Sequence, residues 1–178
     1  MQIHRTILGT YIARVGDGAS FRKTHGKCQP RGVMSRVDEQ HIYAPNLEVP
    51  SGGGVGTARA IAHAYSVFAT GGKELGLRPE TLRELTAPAT PSAHGFYDEC
   101  IKGEAEFSLG FMKSCAGFPF GNPGSFGAPG AGGSIGFADP KAQIGYAYVT
   151  NRMGVVMSGD PRDVALRDAL YSAMPAAD

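Results

Sequence analysis

The 178-residue sequence has no tryptophan, only three cysteines and no apolar run long enough to cross a membrane. Cys28, Cys100 and Cys115 are odd in number and lack metal-binding spacing, so free thiols are expected. The five histidines form neither HxxxH nor HxH pairs, and we expect no metal site and no cofactor. A charge excess is also lacking, since 17 Lys and Arg balance 16 Asp and Glu. This balance argues against a nucleic-acid partner and against binding to an acidic membrane.

The charge that is present is unevenly distributed. Residues 1–36 contain seven basic residues and one acid, Asp17. Such a start is typical of an organelle transit peptide or of a basic surface segment, and we expect the second. Free cysteines without a secretory apolar segment predict a cytoplasmic protein, with a mitochondrial location as the alternative. We predict a single domain over 1–178, partial by the resemblance described below, in which 1–44 is a poorly defined basic segment.

The first clear helix follows residue 56. Thr57 is a good N-cap, and 71–72 is a Gly-Gly pair that can end the helix. Between them, apolar residues recur at the spacing of one helix face: Ile61, Tyr65 and Phe68. A second, short helix is predicted from Pro79 to Pro88.

A third helix closes the sequence. Asp160 is its predicted N-cap, Pro161 occupies the first turn, and Asp163 is favourable to the helix dipole. Its predicted packing surface is Val164, Ala165, Leu166, Ala169 and Leu170.

Three strands are predicted between the helices. Residues 107–111 alternate with period two, and 134–138 and 143–150 form a hairpin around the turn residues 139–141. In the last strand, Gly145 and Ala147 share one face, which suits a helix lying close on the sheet. The sequence therefore predicts an α+β fold, an antiparallel sheet covered by helices.

Two glycine clusters could approach an anion. The cluster at 52–56 fits no nucleotide-binding pattern, and we interpret it as a loop that lets a helix pack tightly. The cluster at 127–133 has four glycines, so a ligand could reach the backbone and an N–H could act as an oxyanion donor. From the residues alone, a ligand-free turn is an equally good interpretation.

The segment 126–140, its continuation to Asn151, and the stretches 54–59 and 107–111 resemble the serine β-lactamase-related hydrolases. This family includes class C β-lactamase-like proteins, esterases and D,D-peptidase relatives. The closing helix resembles the same family, and the ordered matches cover about 45–172. The resemblance implies the C-terminal part of a β-lactamase/transpeptidase-like fold.

The resemblance implies a site with a Ser-x-x-Lys nucleophile, a tyrosine motif and an oxyanion strand. The strand motif, usually Lys-Thr-Gly or His-x-Gly in the family, is similar to Ala128-Pro129-Gly130, which implies Ala131 as the N–H donor. Because position 128 lacks a basic or imidazole side chain, an esterase-like or uncharacterised relative fits better than a β-lactam-recognising one.

One formal Ser-x-x-Lys match exists, Ser20 to Lys23. Nearby glycines argue against a stable helix there, so we interpret it as a chance match. We expect the chain to lack the nucleophile and to be inactive alone, while the complete protein would act on a small ester or amide. The alternative is a non-catalytic interaction module that binds a complementing N-terminal half or forms a homo-oligomer through an exposed sheet edge.

Overall fold

The computed structural model describes residues 56–156 and 158–174. The helices of this region are α1 (Ala58–Ala69), a 3-10 helix (Lys73–Leu75), α2 (Pro79–Thr86) and α3 (Pro161–Ser172). Its strands are β1 (Tyr97–Asp98), β2 (Gly103–Glu104), β3 (Phe107–Ser108), β4 (Phe111–Lys113), β5 (Phe126–Gly130), β6 (Ser134–Asp139) and β7 (Ile144–Tyr148). The predicted α+β class is confirmed.

Five of the strands form one antiparallel sheet in the order β3-β4-β5-β6-β7, and β1 pairs separately with β2. Neighbours in the large sheet are also neighbours in the sequence, so it is a meander. The predicted hairpin around 139–141 is confirmed, with Asp139 of β6 opposite Ile144 of β7.

Helix α1 packs on one face of β6 and β7. The Thr57 hydroxyl accepts a hydrogen bond from the Ala60 N–H at 2.8 Å, which confirms the predicted N-cap. A Cβ atom added at Gly145 would overlap the backbone of α1 at Ala62 and Ser66. The glycine therefore permits the close helix contact that the sequence predicted for this face of β7.

The opposite face of the sheet carries the largest buried cluster. Phe120, Phe137, Ile144 and Tyr146 are each at most 2% exposed, and α3 packs against them through Leu170 and neighbouring residues. The sheet thus lies between α1 on one side and α3 on the other.

The predicted packing surface of α3 is wrong in part. Ala165 and Ala169 are exposed, whereas Asp163 and Arg167 are buried. Asp163 accepts hydrogen bonds from the Tyr146 hydroxyl and from Arg167 Nε, both at 2.9 Å. Apolar periodicity could not identify this surface because its most buried members are a carboxylate and a guanidinium.

The single strand predicted over 107–111 is also wrong. Residues 107–113 form a hairpin of β3 and β4, in which Ser108 pairs with Phe111. Leu109 and Gly110 have φ values of 51° and 84°, which make the tight turn between the strands. Alternating apolar residues in this segment therefore belong to two strands and a turn.

Candidate functional site

The second glycine cluster lies on β5, β6 and the turn that joins them. Ala128 and Gly130 belong to β5, and Ala131 follows its last residue. Ala128 and Ala131 are exposed, and Gly130 is half-buried. Strand β4 pairs only with the first two residues of β5. Residues 128–131 have no strand of the described region on the side that faces away from β6. We call this side of 128–131 the open edge.

The backbone groups of β5 alternate in direction. The Ser114 N–H donates to the Ser125 carbonyl at 3.1 Å, so the backbone of Ser125 faces the β4 side. Because alternate residues of an antiparallel strand turn their N–H and C=O groups to the same side, Pro129 also faces outward. Ala131 lies in the turn, where the Gly130 carbonyl accepts from the Gly133 N–H at 3.2 Å and so points to the β6 side. The Ala131 N–H belongs to the same trans peptide bond and therefore points the opposite way, to the open edge.

Pro129 supports this direction independently. It stands in the middle of β5, opposite Ile135 of β6. Proline has no N–H, so it fits a strand only where its nitrogen faces away from the partner. It also removes an outward donor from the open edge. Among residues 128–131, only Ala131 therefore presents an N–H group outward.

The glycines of this segment have different roles. Gly132 and Gly133 have φ values of 87° and 96°, which the turn requires. A Cβ at Gly132 would lie 2.9 Å from Met153, and one at Gly133 would overlap Asp160. Gly130, by contrast, has no atom within 3.4 Å of an added Cβ. The predicted bare edge is thus due to Gly130 and the small neighbouring alanines, while Gly132 and Gly133 serve the turn. The fourth glycine, Gly127, permits close contact with β6, because an added Cβ would overlap the backbone there.

Ser20 and Lys23, the formal Ser-x-x-Lys match, lie outside the described residues. The structure therefore does not bring them to the open edge or separate them from it, and their interpretation as a chance match stays a prediction. The same holds for the loop predicted at 52–55.

The Asp160 side chain forms an ion pair in addition to the N-cap that the sequence predicts. The Asp160 carboxylate accepts the predicted N-cap bond from the Arg162 N–H at 3.0 Å. It also receives Arg162 Nε at 2.8 Å and Nη2 at 2.6 Å. The guanidinium holds the pKa of Asp160 at about 2, well below its usual range. The sequence signal for this ion pair is the order Asp-Pro-Arg at 160–162, because it places the Arg162 guanidinium within reach of the Asp160 carboxylate.

Lys113 of β4 is a second feature that the sequence did not indicate. It is 4% exposed, and its ammonium donates to the Leu85 carbonyl in the last turn of α2. It also lies 5.4 Å from the centre of the Phe126 ring. Burial lowers the pKa of Lys113. This lysine is distant in sequence from the helix it caps, so no local pattern could reveal the contact.

Two further kinds of site are absent from the described part of the chain. There, no three His, Cys, Asp or Glu residues come together as potential metal ligands. No helix of residues 56–156 and 158–174 is long and apolar enough to cross a membrane.

The names of three similar proteins refer to an esterase/beta-lactamase, a carboxylesterase and a penicillin-binding protein homologue. The chain is 37% identical over 110 residues to Esterase/beta-lactamase LipL of Mycobacterium tuberculosis, covering 61% of this chain and 24% of that protein. A family VIII carboxylesterase structure is similar with a TM-score of 0.57 and 35% identity. A penicillin-binding protein homologue from Caulobacter crescentus gives a TM-score of 0.58 and 31% identity. Each structural match covers 67% of this chain and 32% of the other.

The chain thus spans about a quarter to a third of the length of these relatives. The α+β arrangement corresponds to the C-terminal part of the β-lactamase/transpeptidase-like fold. A model of the Beta-lactamase family matches residues 6–171, which includes much of the segment before residue 45 that the resemblance left out. This match covers nearly the whole sequence, and the chain belongs to the Beta-lactamase family.

Proposed function

We propose that this chain provides the oxyanion strand of a serine ester hydrolase. The observation that carries the proposal is the open edge, where Ala131 is the one residue of 128–131 whose N–H faces outward. A backbone donor fixed in this way stabilises the negative charge that develops on a carbonyl oxygen during acyl transfer. The donor requires no particular side chain, so Ala128 does not prevent this role.

The substrate class that fits best is a small ester. Ala128 offers no charge to a substrate carboxylate, and its side chain is exposed at the open edge. One similar protein is named an esterase/beta-lactamase and another a family VIII carboxylesterase, so ester hydrolysis is common to both names. Turnover additionally requires an acylated serine and a base that activates it. We propose that Ser20 and Lys23 do not supply them and that the chain alone is inactive.

The test mixes the chain with the N-terminal part of a family VIII carboxylesterase and follows a chromogenic ester. The expected result is hydrolysis by the mixture and neither a burst nor fluorophosphonate labelling for the chain alone. Stoichiometric labelling of Ser20 in the isolated chain would contradict the proposed lack of a nucleophile. Absence of both binding and hydrolysis in the mixture would count against the oxyanion-strand proposal.

The Ala131 donor is tested in an active mixture by Ala131→Pro, which removes the N–H. Loss of one oxyanion donor lowers kcat by about 10²–10³-fold. Ala131→Gly is the matched control, because it changes the same side chain and retains the N–H. Equal activity of the two variants would show that this N–H is not the donor.

A second candidate function is that of a non-catalytic module, and β7 favours it. Ile144, Tyr146 and Ala147 are each at most 1% exposed, although β7 is an edge strand of the described sheet. The strand has no charge and no proline, the usual protection of an exposed edge. The occupant we propose for this edge is a strand from a complementing N-terminal half, since the solved relatives are about three times longer than the matched region.

Amide hydrogen exchange separates the two candidates. The alternation derived for β5 continues through the paired strands and directs the N–H groups of Gly145 and Ala147 outward. Their exchange should slow when the complementing half is added, while Ile144 and Tyr146, which face β6, serve as internal controls. Slowed exchange without ester hydrolysis favours the module, and slowed exchange with hydrolysis favours the split hydrolase.

A further inference from the structure

The turn after β5 is hydrogen-bonded to the later loop 151–156, and this loop is hydrogen-bonded to the start of α3. The Gly154 N–H donates to the Gly132 carbonyl at 2.8 Å, which joins the loop 151–156 to the turn. Arg162 Nη1 donates to the Arg152 carbonyl at 3.0 Å, which joins the same loop to the start of α3. These contacts form a continuous connection from α3 to the turn that contains Ala131.

The Asp160 carboxylate lies at the centre of this connection. Its side chain is 4% exposed, and a Cβ added at Gly133 would overlap it. A Cβ at Gly154 would lie 2.9 Å from Asp160 Oδ2 and 3.3 Å from Arg162 Nη2. The two glycines thus allow one carboxylate to contact both the turn and the loop.

Helix capping alone does not explain this arrangement. The cap needs only one carboxylate oxygen, Oδ1, which accepts from the Arg162 N–H. The second oxygen, Oδ2, receives Arg162 Nη2, so the guanidinium binds both oxygens as a fork. Its remaining nitrogen reaches the Arg152 carbonyl, which a helix cap would not require.

We propose that Asp160 and Arg162 are positioning residues that fix the direction of the Ala131 N–H. The inference rests on the proposed oxyanion role of Ala131 and adds the device that orients it. The pair acts through the turn: the fork anchors Asp160 against Gly133 and, through Arg152 and Gly154, anchors Gly132. A donor that is oriented before the substrate arrives needs no reorganisation during the reaction.

The experiment uses the 178-residue chain without substrate, so it does not depend on whether hydrolysis is observed. The variants are Arg162→Gln, which removes the fork, and Asp160→Asn, which weakens the pair but keeps a good N-cap. Arg83→Gln is the matched control, because it removes the exposed ion pair with Glu80 far along the sequence from the turn. The readouts are the ¹⁵N order parameter of the Ala131 N–H, the exchange rate of the Gly154 amide and the urea midpoint.

We expect the Ala131 order parameter to fall from about 0.85, typical of rigid backbone, to below about 0.6 in Arg162→Gln. Gly154 exchange should accelerate about 10-fold or more while the urea midpoint changes little, and Arg83→Gln should change neither local signal. Arg162→Lys keeps the charge without the fork, so its Ala131 order parameter should lie between those of the unchanged chain and Arg162→Gln. This variant takes the place of Arg162→Gln if the latter does not fold. An unchanged Ala131 order parameter in a folded variant that has lost the fork overturns the proposal.

Discussion

At the residue scale, single glycines decide how closely the layers approach. Gly145 and Gly103 are both strand glycines, and neither has a positive φ. They differ in their surroundings: an added Cβ at Gly145 would overlap α1, whereas at Gly103 it would meet no atom within 4 Å. The composition alone shows 26 glycines and does not distinguish these two.

Gly145→Ala should destabilise the protein by about 1–3 kcal/mol, because overpacking forces α1 away from β7. The matched variant Gly103→Ala should change the free energy of unfolding by less than about 0.5 kcal/mol. Urea unfolding measures both. Equal urea midpoints for the two variants would contradict the close packing of α1 on β7 at Gly145.

Lys113 predicts a pH dependence at the same scale. Burial lowers its folded-state pKa below the ordinary value of 10.5, so the unfolded chain holds the proton to higher pH. Stability should therefore rise as the pH increases from the lowered pKa towards 10.5. Lys113→Met should remove this rise, and the difference between the two unfolding curves below pH 10 is the measurement. A stability difference between the proteins that stays constant with pH contradicts the assignment.

Tyr146 and Tyr171 have pKa values that burial raises above the ordinary value of 10.0. Their contribution to stability should therefore fall as the pH rises above 10.0, opposite to the change from Lys113.

At the element scale, α3 is attached to the sheet by a buried polar network. Arg167 is 8% exposed and also donates to the Pro119 carbonyl at 3.1 Å. Burial raises the pKa of Asp163, although Arg167 and the Tyr146 hydroxyl stabilise the charged form. The carboxylate therefore depends on both partners.

Arg167→Met should cost about 3–5 kcal/mol of folding free energy, because it leaves the Asp163 charge buried without its cation. The double variant Asp163→Leu/Arg167→Met should be less destabilised than Arg167→Met alone, since the buried charge is also removed. The exposed pair at Glu80 is the comparison, and Arg83→Gln should cost at most about 1 kcal/mol. Additive effects of the two buried substitutions would contradict the network.

At the scale of the whole molecule, the described sheet has two edges of different character. Strand β3 ends one side with an exposed Phe107, while β7 ends the other with buried side chains on both faces. Since a strand buried on both faces normally lies inside a sheet, β7 is the edge that a further strand should extend.

A complementing N-terminal half should therefore raise the thermal midpoint of this chain in a concentration-dependent way. Binding to the folded state stabilises it by about 2.7 kcal/mol at one hundred times the dissociation constant. Differential scanning fluorimetry across a titration measures the shift. A midpoint independent of the added half would contradict strand addition at β7.

The order of the main elements and their caps was readable from local patterns. The N-cap Thr57, the first-turn Pro79 and the turn at 139–141 each affect only neighbouring residues. Their effects can therefore be predicted without knowing the tertiary structure. The family resemblance also needed only the order of short motifs. The local patterns predicted the α+β class, and the resemblance implied the strand motif that precedes Ala131.

The direction of the Ala131 N–H was decided only by the tertiary structure, because the pairing register determines which backbone groups face outward. The polar surface of α3, the buried Lys113 and the connection from Asp160 to the turn arise for the same reason. Their partners lie 17 to 48 residues apart, or reach the turn through an intermediate loop. Contacts over such distances leave no periodic pattern in a sequence, and a buried charged side chain depends on the partners that the fold brings to it.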